Sequence, residues 1–100
     1  MRLAKVKGTV VSTCKEPRLQ GVKLLLVQFV SESGDPLEDY EVAADVVGAG
    51  VGEWVLVTRG SGARRHDGYQ DRPVDAAIVA IIDTVSTASG MMYDKRQDFS

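Results

Sequence analysis

Residues 22–30 read VKLLLVQFV, a nearly continuous apolar run that we interpret as a β-strand. Side chains of a strand point alternately to its two faces, so Leu24 and Leu26 lie on the face opposite to Phe29. Both faces are apolar, yet a barrel small enough to form from this chain has a single interior. The second apolar face therefore needs a cover, and another subunit supplies it most simply.

The sequence on either side of this run predicts further strands. Apolar and polar residues alternate over residues 3–13, which indicates a first strand with a bulge or bend at Gly8. Residues 34–36, Gly-Asp-Pro, are a turn signature that sends the chain back into a short antiparallel strand over residues 39–43. Residues 53–59 are rich in β-branched and aromatic residues and predict another strand with two apolar faces.

The last part of the chain fits two descriptions. Apolar residues between Val74 and Val85 fall on one helical stripe, and Pro73 suits a first helical position. The density of β-branched residues over residues 78–82 favours a strand instead. We therefore expect a single turn at residues 73–75, followed by a fifth strand to about Val85.

The fold expected from these elements is all-β. It is a five-stranded barrel of the oligonucleotide/oligosaccharide-binding type with one or two short helical turns, one of them over residues 61–65 and capped by Ser61. We assign residues 1–86 to the barrel domain. Residues 87–100 are expected to form an extension that is peripheral or partly disordered.

Composition narrows the classes of function. The chain has 100 residues, enough for one small domain with a thin core. Its 12 basic and 14 acidic residues give a net charge of -2, which argues against nucleic acid or an anionic membrane as its main partner. Cys14 is the single cysteine, and no signal peptide or membrane-length apolar run is seen, so we expect a soluble protein of a reducing cytosol.

Residues 46–52, VVGAGVG, resemble at first sight a glycine-rich nucleotide-binding loop. That fingerprint needs G-x-G-x-x-G at the start of a helix, whereas the spacing here is G-x-G-x-G and a predicted strand follows. Glu53 also places an acid where an anion would bind. We therefore expect no bound ligand, and we interpret the glycines as a strand connection that permits positive φ and close backbone approach.

No catalytic or metal-binding constellation stands out. His66 is the single histidine, lies in a polar stretch and is far in sequence from Cys14, so neither a metal cluster nor a nucleophile with its base is expected. Asp39 and Glu41 share one strand face, but solvated rim positions explain them more simply than paired catalytic carboxylates. We expect no enzyme activity, no cofactor and no metal.

A basic group leaves one alternative open. It comprises Arg59, Arg64, Arg65, His66 and Arg72. On a barrel of this type such a group fits a single-stranded nucleic-acid-binding module. Aromatic stacking platforms are few, however, and Trp54 falls in a strand pattern typical of a core or an interface. Around a symmetry axis the same side chains would instead make a ring of positive potential that favours small anions.

Five runs taken together resemble one known family. They are residues 8–15, 21–28, 45–57, 59–64 and 73–83, which read GTVVSTCK, GVKLLLVQ, DVVGAGVGEWVLV, RGSGAR and PVDAAIVAIID. In this order and spacing they are similar to the pentameric vertex proteins of bacterial microcompartments, the CcmL/EutN family. The match covers residues 1 to about 86, and it looks most like the carboxysome branch of cyanobacteria.

The resemblance implies a structural role. A homopentamer of five-stranded barrels would cap the corners of the carboxysome, a polyhedral shell in the cytoplasm that encloses ribulose bisphosphate carboxylase and carbonic anhydrase and supports carbon dioxide fixation. The implied partners are further copies of the chain, hexameric shell proteins and internal scaffold proteins, with neither nucleic acid nor membrane among them.

Two sets of site residues are expected. Those implied to line an axial pore are Gly60, Ser61, Gly62, Ala63 and Arg64. We interpret this opening as a by-product of five-fold packing rather than as a path for bicarbonate or protons. Those expected at the subunit interface are Leu24, Leu26, Gly48, Ala49, Gly50, Gly52 and Trp54.

Overall fold

The computed structural model describes residues 1–11, 21–59, 75–88 and 90–95. These residues form seven β-strands, namely β1 (Arg2–Val10), β2 (Leu24–Val30), β3 (Pro36–Asp45), β4 (Trp54–Arg59), β5 (Ala76–Ile81), β6 (Thr84–Thr87) and β7 (Gly90–Asp94). β1 to β5 close a barrel in the order β1-β2-β3-β5-β4, while β6 and β7 form a separate two-stranded sheet. The predicted five-stranded all-β barrel is therefore confirmed.

The barrel core is built from the inward faces of its strands. The largest fully buried side chains are Phe29, Leu25, Ile78, Val6, Val27, Val55 and Val57. On β2 the buried positions alternate with half-buried ones, and Leu24 and Leu26 lie on the outer face. Burial of apolar side chains is the main favourable contribution to folding, so this alternation fixes which face of β2 belongs to the core.

β1 carries its bulge at the predicted glycine. The register between β1 and β2 shifts between Val6 and Gly8. On the other side of β1, the Val6 amide donates to the Glu53 carbonyl oxygen at 2.9 Å, and the Val6 carbonyl oxygen accepts from the Gly52 amide at 2.9 Å. These two bonds tie the segment before β4 to the barrel wall.

β3 is longer than the return strand predicted for residues 39–43. It begins at Pro36, directly after a turn in which Gly34 has a φ of 85°, and it ends at Asp45. Proline is tolerated as the first residue of a strand because no ladder bond requires its missing amide there. Beside β2, the described residues pair β3 only with β5, in parallel, at Ala44 and Asp45. Most of the second edge of β3 therefore has no strand beside it in the described part of the chain.

β5 ends earlier than predicted, and the expectation of one strand continuing to Val85 is wrong. The chain leaves the barrel after Ile81, where the Ile82 amide donates to the Trp54 carbonyl oxygen at 2.8 Å. β6 and β7 then pair as an antiparallel hairpin, called the C-terminal hairpin below. The helical turn predicted over residues 61–65 lies outside the described residues.

The C-terminal hairpin packs on the barrel. Tyr93 is buried together with Val30 and Trp54 in a second apolar cluster. β6 begins at Thr84, so the predicted division into residues 1–86 and 87–100 falls within this strand, and that division stays a prediction. Within the described ranges, no helix has the length and apolar character needed to cross a membrane.

Candidate functional site

The outer face of β2 and β3 carries an apolar surface that we call the outer patch, formed by Leu24, Leu26, Tyr40 and Val42. Leu26 lies directly opposite Val42 across the two strands, and Tyr40 follows two residues along the same face. Tyr40 is 52% exposed and Val42 is 46% exposed, while the two leucines are half-buried. Large apolar side chains grouped on one strand face indicate a contact surface more strongly than scattered ones do.

The outer patch continues onto the loop that follows β3. Val22, Leu24 and Val46 pack together against the buried side chain of Ala44. Val46 opens the glycine loop, which we define as residues 46–53, between β3 and β4. The apolar outer surface of the sheet and the glycine loop are therefore one continuous surface.

The glycine loop is wrapped around the carboxylate of Asp45. Oδ1 of Asp45 accepts hydrogen bonds from the amides of Val47 at 3.0 Å and Gly48 at 3.1 Å, and Oδ2 accepts one from the amide of Ala49 at 2.9 Å. The side chain of Asp45 is fully buried. Consecutive backbone amides turned toward one point make a concave anion-binding site. The amides of the loop therefore do bind an anion, and that anion is the carboxylate of Asp45 in the same chain.

Lys23 neutralises this buried carboxylate. Its Nζ lies 3.2 Å from Oδ2 of Asp45 and donates to the carbonyl oxygen of Ala49 at 3.0 Å. A buried carboxylate is tolerated when it is both hydrogen-bonded and paired with a cation, and both conditions hold here. Ala49 is itself buried and packs into the barrel core, so the loop closes one end of the barrel.

The far end of the glycine loop is fixed by Glu53. Its Oε1 accepts the Gly50 amide at 2.6 Å, and its Oε2 lies 2.6 Å from Nζ of Lys95, which follows β7. The hydrogen bond from Lys95, followed by that from the Gly50 amide, lowers the pKa of Glu53 below its ordinary value. The same bond raises the pKa of Lys95. The loop is thus joined to the C-terminal hairpin by a charged, hydrogen-bonded contact.

Two of the loop glycines have the backbone conformation for which glycine is suited. Gly48 has a φ of 79° and Gly52 a φ of 93°, in the region that residues with a Cβ rarely adopt. Gly50 has no positive φ, so the general explanation of these glycines by positive φ does not apply to it. A Cβ at Gly50 would instead lie 3.4 Å from Oε1 of Glu53.

The other residues predicted at the interface differ in accessibility. Ala49 and Trp54 are buried within their own chain, Trp54 being only 8% exposed, so they offer little surface to a neighbour. Gly48 and Gly50 are exposed, and Gly52 is half-buried. The interface assignment as a whole stays a prediction. The pore residues Gly60, Ser61, Gly62, Ala63 and Arg64 lie outside the described residues, as do Arg65, His66 and Arg72 of the basic group.

The remaining polar groups in the described ranges do not form a reactive arrangement. Asp39 lies 3.5 Å from Arg2, and Glu41 lies 3.8 Å from Arg59, so each carboxylate faces its own cation at the rim. No group of three or more histidine, cysteine or acidic residues suited to a metal ion occurs in the described ranges. Among the described residues that line an open cleft of about 460 Å³, Glu32 is the one ionisable group. Nucleophile, base and oxyanion donors are not brought together in the described part of the chain.

Sequence reasoning missed Lys23, Tyr40 and Val42, and it interpreted Asp45 only as a solvated rim position or turn cap. A signal for Asp45 was present, because an aspartate immediately before a glycine-rich turn commonly accepts the amides that follow it. The alternation of Tyr40 and Val42 was also readable, since both residues lie within the return strand predicted for residues 39–43. Lys23 is close to Asp45 only through the barrel, and no local pattern brings the two together.

Comparisons with known proteins identify similar chains over almost the whole length. A family model described as ethanolamine utilisation protein EutN/carboxysome matches residues 1–83. The carboxysome shell vertex protein CcmL of Synechocystis sp. is 67% identical over 98 residues, covering 98% of this chain and 98% of that protein.

Solved structures agree with the sequence comparison. CcmL of Gloeobacter violaceus is 55% identical with a TM-score of 0.92, covering 97% of this chain and 100% of that one. The pentameric microcompartment shell protein GrpN of Rhodospirillum rubrum is 48% identical with a TM-score of 0.79, covering 87% of this chain and 99% of that one.

Proposed function

The chain belongs to the EutN/CcmL family, and on that premise we propose that it is a structural vertex protein of the carboxysome shell. Five copies form a ring, and the ring caps a corner of the polyhedral shell in the cytoplasm. A flat sheet of hexamers cannot close by itself, so pentagons at the corners supply the curvature. Closure of the shell in turn supports the concentration and fixation of carbon dioxide.

The observation that carries the assembly is the outer patch. Tyr40 and Val42 expose about half of their surface although they lie on a regular strand beside two leucines. The second edge of β3 also lacks a paired strand along most of its described length. An exposed strand edge and an exposed apolar face both favour association with another chain. A cyclic ring uses two different surfaces of each subunit, so the outer patch would contact a different region of the neighbour.

The finer assignments are proposals of the same kind. We place Leu24 and Leu26 in the interface, together with the exposed glycines of the glycine loop. Ala49 and Trp54 are buried below this surface and support its shape. Residues 60–64 line the five-fold axis in this arrangement. Hexameric shell proteins would surround the ring and scaffold proteins would contact it from inside the shell. The family is a structural one, and we infer that the chain catalyses no reaction.

The nucleic-acid alternative is not supported. The relatives described above are shell proteins, and their printed descriptions name no nucleic acid. The one described member of the basic group, Arg59, faces Glu41. The outer patch also lacks the positive charge that tracks a phosphate backbone.

Native mass measurement and genetic complementation test the proposal. The purified chain should give a particle of five times its 10.8 kDa mass, and a monomer at micromolar concentration would contradict it. Cells lacking the protein should hold elongated or unclosed compartments. Expression of the chain should restore closed polyhedra, whereas a variant that stays monomeric should not.

A further inference from the structure

The glycine loop displays two apolar side chains that the described part of its own chain leaves exposed. Val51 is 64% exposed and Val47 is 37% exposed, although Ala49 between them is buried. We propose that the glycine loop is a preformed contact that docks into the neighbouring subunit of the ring, and that the buried carboxylate of Asp45 holds it in the docking shape. The proposal rests on the pentamer proposed above. It identifies the interactions that order part of the pentamer interface before assembly.

The loop is held at both ends before any partner arrives. Asp45 binds three consecutive amides at one end, and Lys23 links that carboxylate to the Ala49 carbonyl. Glu53 binds the Gly50 amide at the other end and is itself held by Lys95. A contact that is ordered in the free subunit loses less conformational entropy on binding. The network therefore favours assembly by ordering the loop beforehand.

The chemistry of the loop favours an apolar occupant. Asp45 faces Lys23, and Glu53 faces Lys95, so each carboxylate of the loop region has a cation beside it. The amides of residues 47–49 are already occupied by Asp45, which leaves them unavailable to a phosphate or bicarbonate. What the loop presents outward is Val47 and Val51. Both features disfavour a small anion and favour an apolar surface.

A second copy of this chain is the occupant that the geometry favours. Val46, the first residue of the loop, packs with Val22 and Leu24 against Ala44, so the start of the loop adjoins the outer patch. A ring contact that includes the outer patch would therefore reach the loop. The same continuity predicts that substitutions in the loop and in the patch weaken one common equilibrium.

Charge substitutions on the exposed valines test the docking role. Val51→Glu and Val47→Glu should raise the concentration at which the ring dissociates by about a hundredfold or more, because each would bury an unpaired charge at the contact. Met91→Glu is the matched control, since Met91 is an exposed apolar residue of the C-terminal hairpin, and it should stay pentameric. Analytical ultracentrifugation over a dilution series gives the readout. Pentamers of both valine variants as stable as the wild type would overturn the proposal.

Removal of the carboxylate tests the role of Asp45 as a positioning residue. Asp45→Ala should fold, as judged by the near-ultraviolet circular dichroism of Trp54, yet assemble at least about tenfold more weakly. Formate, but not chloride, should restore assembly by occupying the vacated amides. Asp35→Ala removes an exposed acid from a turn and should assemble normally.

Each remaining outcome also decides the matter. A folded Asp45→Ala chain that assembles like the wild type, or one that formate fails to restore, would overturn the role of Asp45. Should this variant not fold, the two valine variants alone decide the docking role. A wild-type chain that is monomeric would refute the proposed function itself, and this result differs from a stable wild-type pentamer that tolerates Val51→Glu and Val47→Glu.

Discussion

The rings of Trp54 and Tyr93 stack with their centroids 4.4 Å apart and their planes 15° from parallel. Trp54 begins β4 of the barrel, whereas Tyr93 lies in β7 of the C-terminal hairpin, and both are buried. Stacking adds to the stability gained by burial of the two rings. The hairpin is therefore attached to the barrel by an aromatic pair as well as by the contact between Lys95 and Glu53.

We predict that Tyr93→Ala lowers the free energy of unfolding by about 3 kcal/mol, because it removes a buried ring and the stacking of that ring on Trp54. Urea unfolding followed by Trp54 fluorescence measures the change. The experiment is best made in a Leu26→Glu background, where assembly does not contribute to stability. Tyr40→Ala is the control, since Tyr40 is half exposed and should change stability in that background by less than about 1 kcal/mol. Equal effects of the two variants would show that the hairpin adds little to the fold.

We predict that Leu26→Glu releases soluble monomer or aggregate from the ring. Leu26 lies in the centre of the outer patch opposite Val42, and an unpaired carboxylate buried there would weaken association by about 3 kcal/mol or more. Size-exclusion chromatography with light scattering gives the mass of the product. Ser33→Glu adds the same charge at an exposed turn and should leave the ring intact. An unchanged pentamer for Leu26→Glu would mean that the ring forms through another face.

Gly48 and Gly50 provide a matched pair for separating backbone strain from assembly. Gly48→Ala should lower the stability of the subunit by about 1–2 kcal/mol, because Gly48 has a φ of 79°, while nothing lies within 4 Å of the position that an added Cβ would take. Gly50→Ala should be close to neutral in the subunit, since Gly50 has no positive φ. Thermal unfolding of both variants in the Leu26→Glu background measures the difference. Equal losses of stability would show that the positive φ of Gly48 is not the reason why glycine is favoured at this position.

Assembly should respond to the size of the side chain placed at Gly50. Gly50 is exposed on the glycine loop, and Gly50→Val places a branched side chain toward Glu53 and the proposed contact. We predict that Gly50→Val weakens the ring while leaving subunit stability within about 1 kcal/mol of the wild type. Sedimentation velocity, compared with Gly50→Ala, provides the measurement. A ring of Gly50→Val as stable as that of Gly50→Ala would remove Gly50 from the interface.

The barrel could be predicted from sequence because its signal is local. Apolar alternation in β1 and the two-sided run of β2 each report the burial of neighbouring positions, and the turn at Gly34 sets the hairpin between β2 and β3. The break after Ile81 could not be predicted in this way. β-branched residues continue past it, and the chain beyond the break pairs with β7, a strand that lies farther along the sequence.

The site depended more strongly on long-range contacts. Leu24 and Leu26 followed from alternation, but the partners Lys23 and Asp45 are separated along the chain and meet only because Asp45 ends β3 beside the start of β2. The contact of Lys95 with Glu53 likewise exists only once the C-terminal hairpin has folded back. Periodicity carries no information on such pairs.

The contact between Lys95 and Glu53 predicts a pH dependence with a definite sign. The pKa of Glu53 in the folded chain lies below its ordinary value of 4.5, so the folded state favours the charged carboxylate. Its contribution to stability is complete above the ordinary pKa and is lost as the pH falls through the lowered pKa. Lys95 has a raised pKa, so its contribution is present below its ordinary value of 10.5 and is lost as the pH rises through the raised one. The contact should therefore contribute fully at neutral pH.

Glu53→Gln should consequently destabilise the chain at neutral pH and lose that effect as the solution is acidified below the ordinary pKa of Glu53. Urea midpoints measured across that range in the Leu26→Glu background give the difference between variant and parent. Lys95→Met serves as the control background, because removing the main cause of the lowered pKa should make the difference smaller and its pH dependence weaker. The Gly50 amide still binds the carboxylate there, so part of the effect should persist. A pH dependence unaltered by Lys95→Met would show that Lys95 does not hold the Glu53 carboxylate, and that the hairpin is not joined to the glycine loop through this contact.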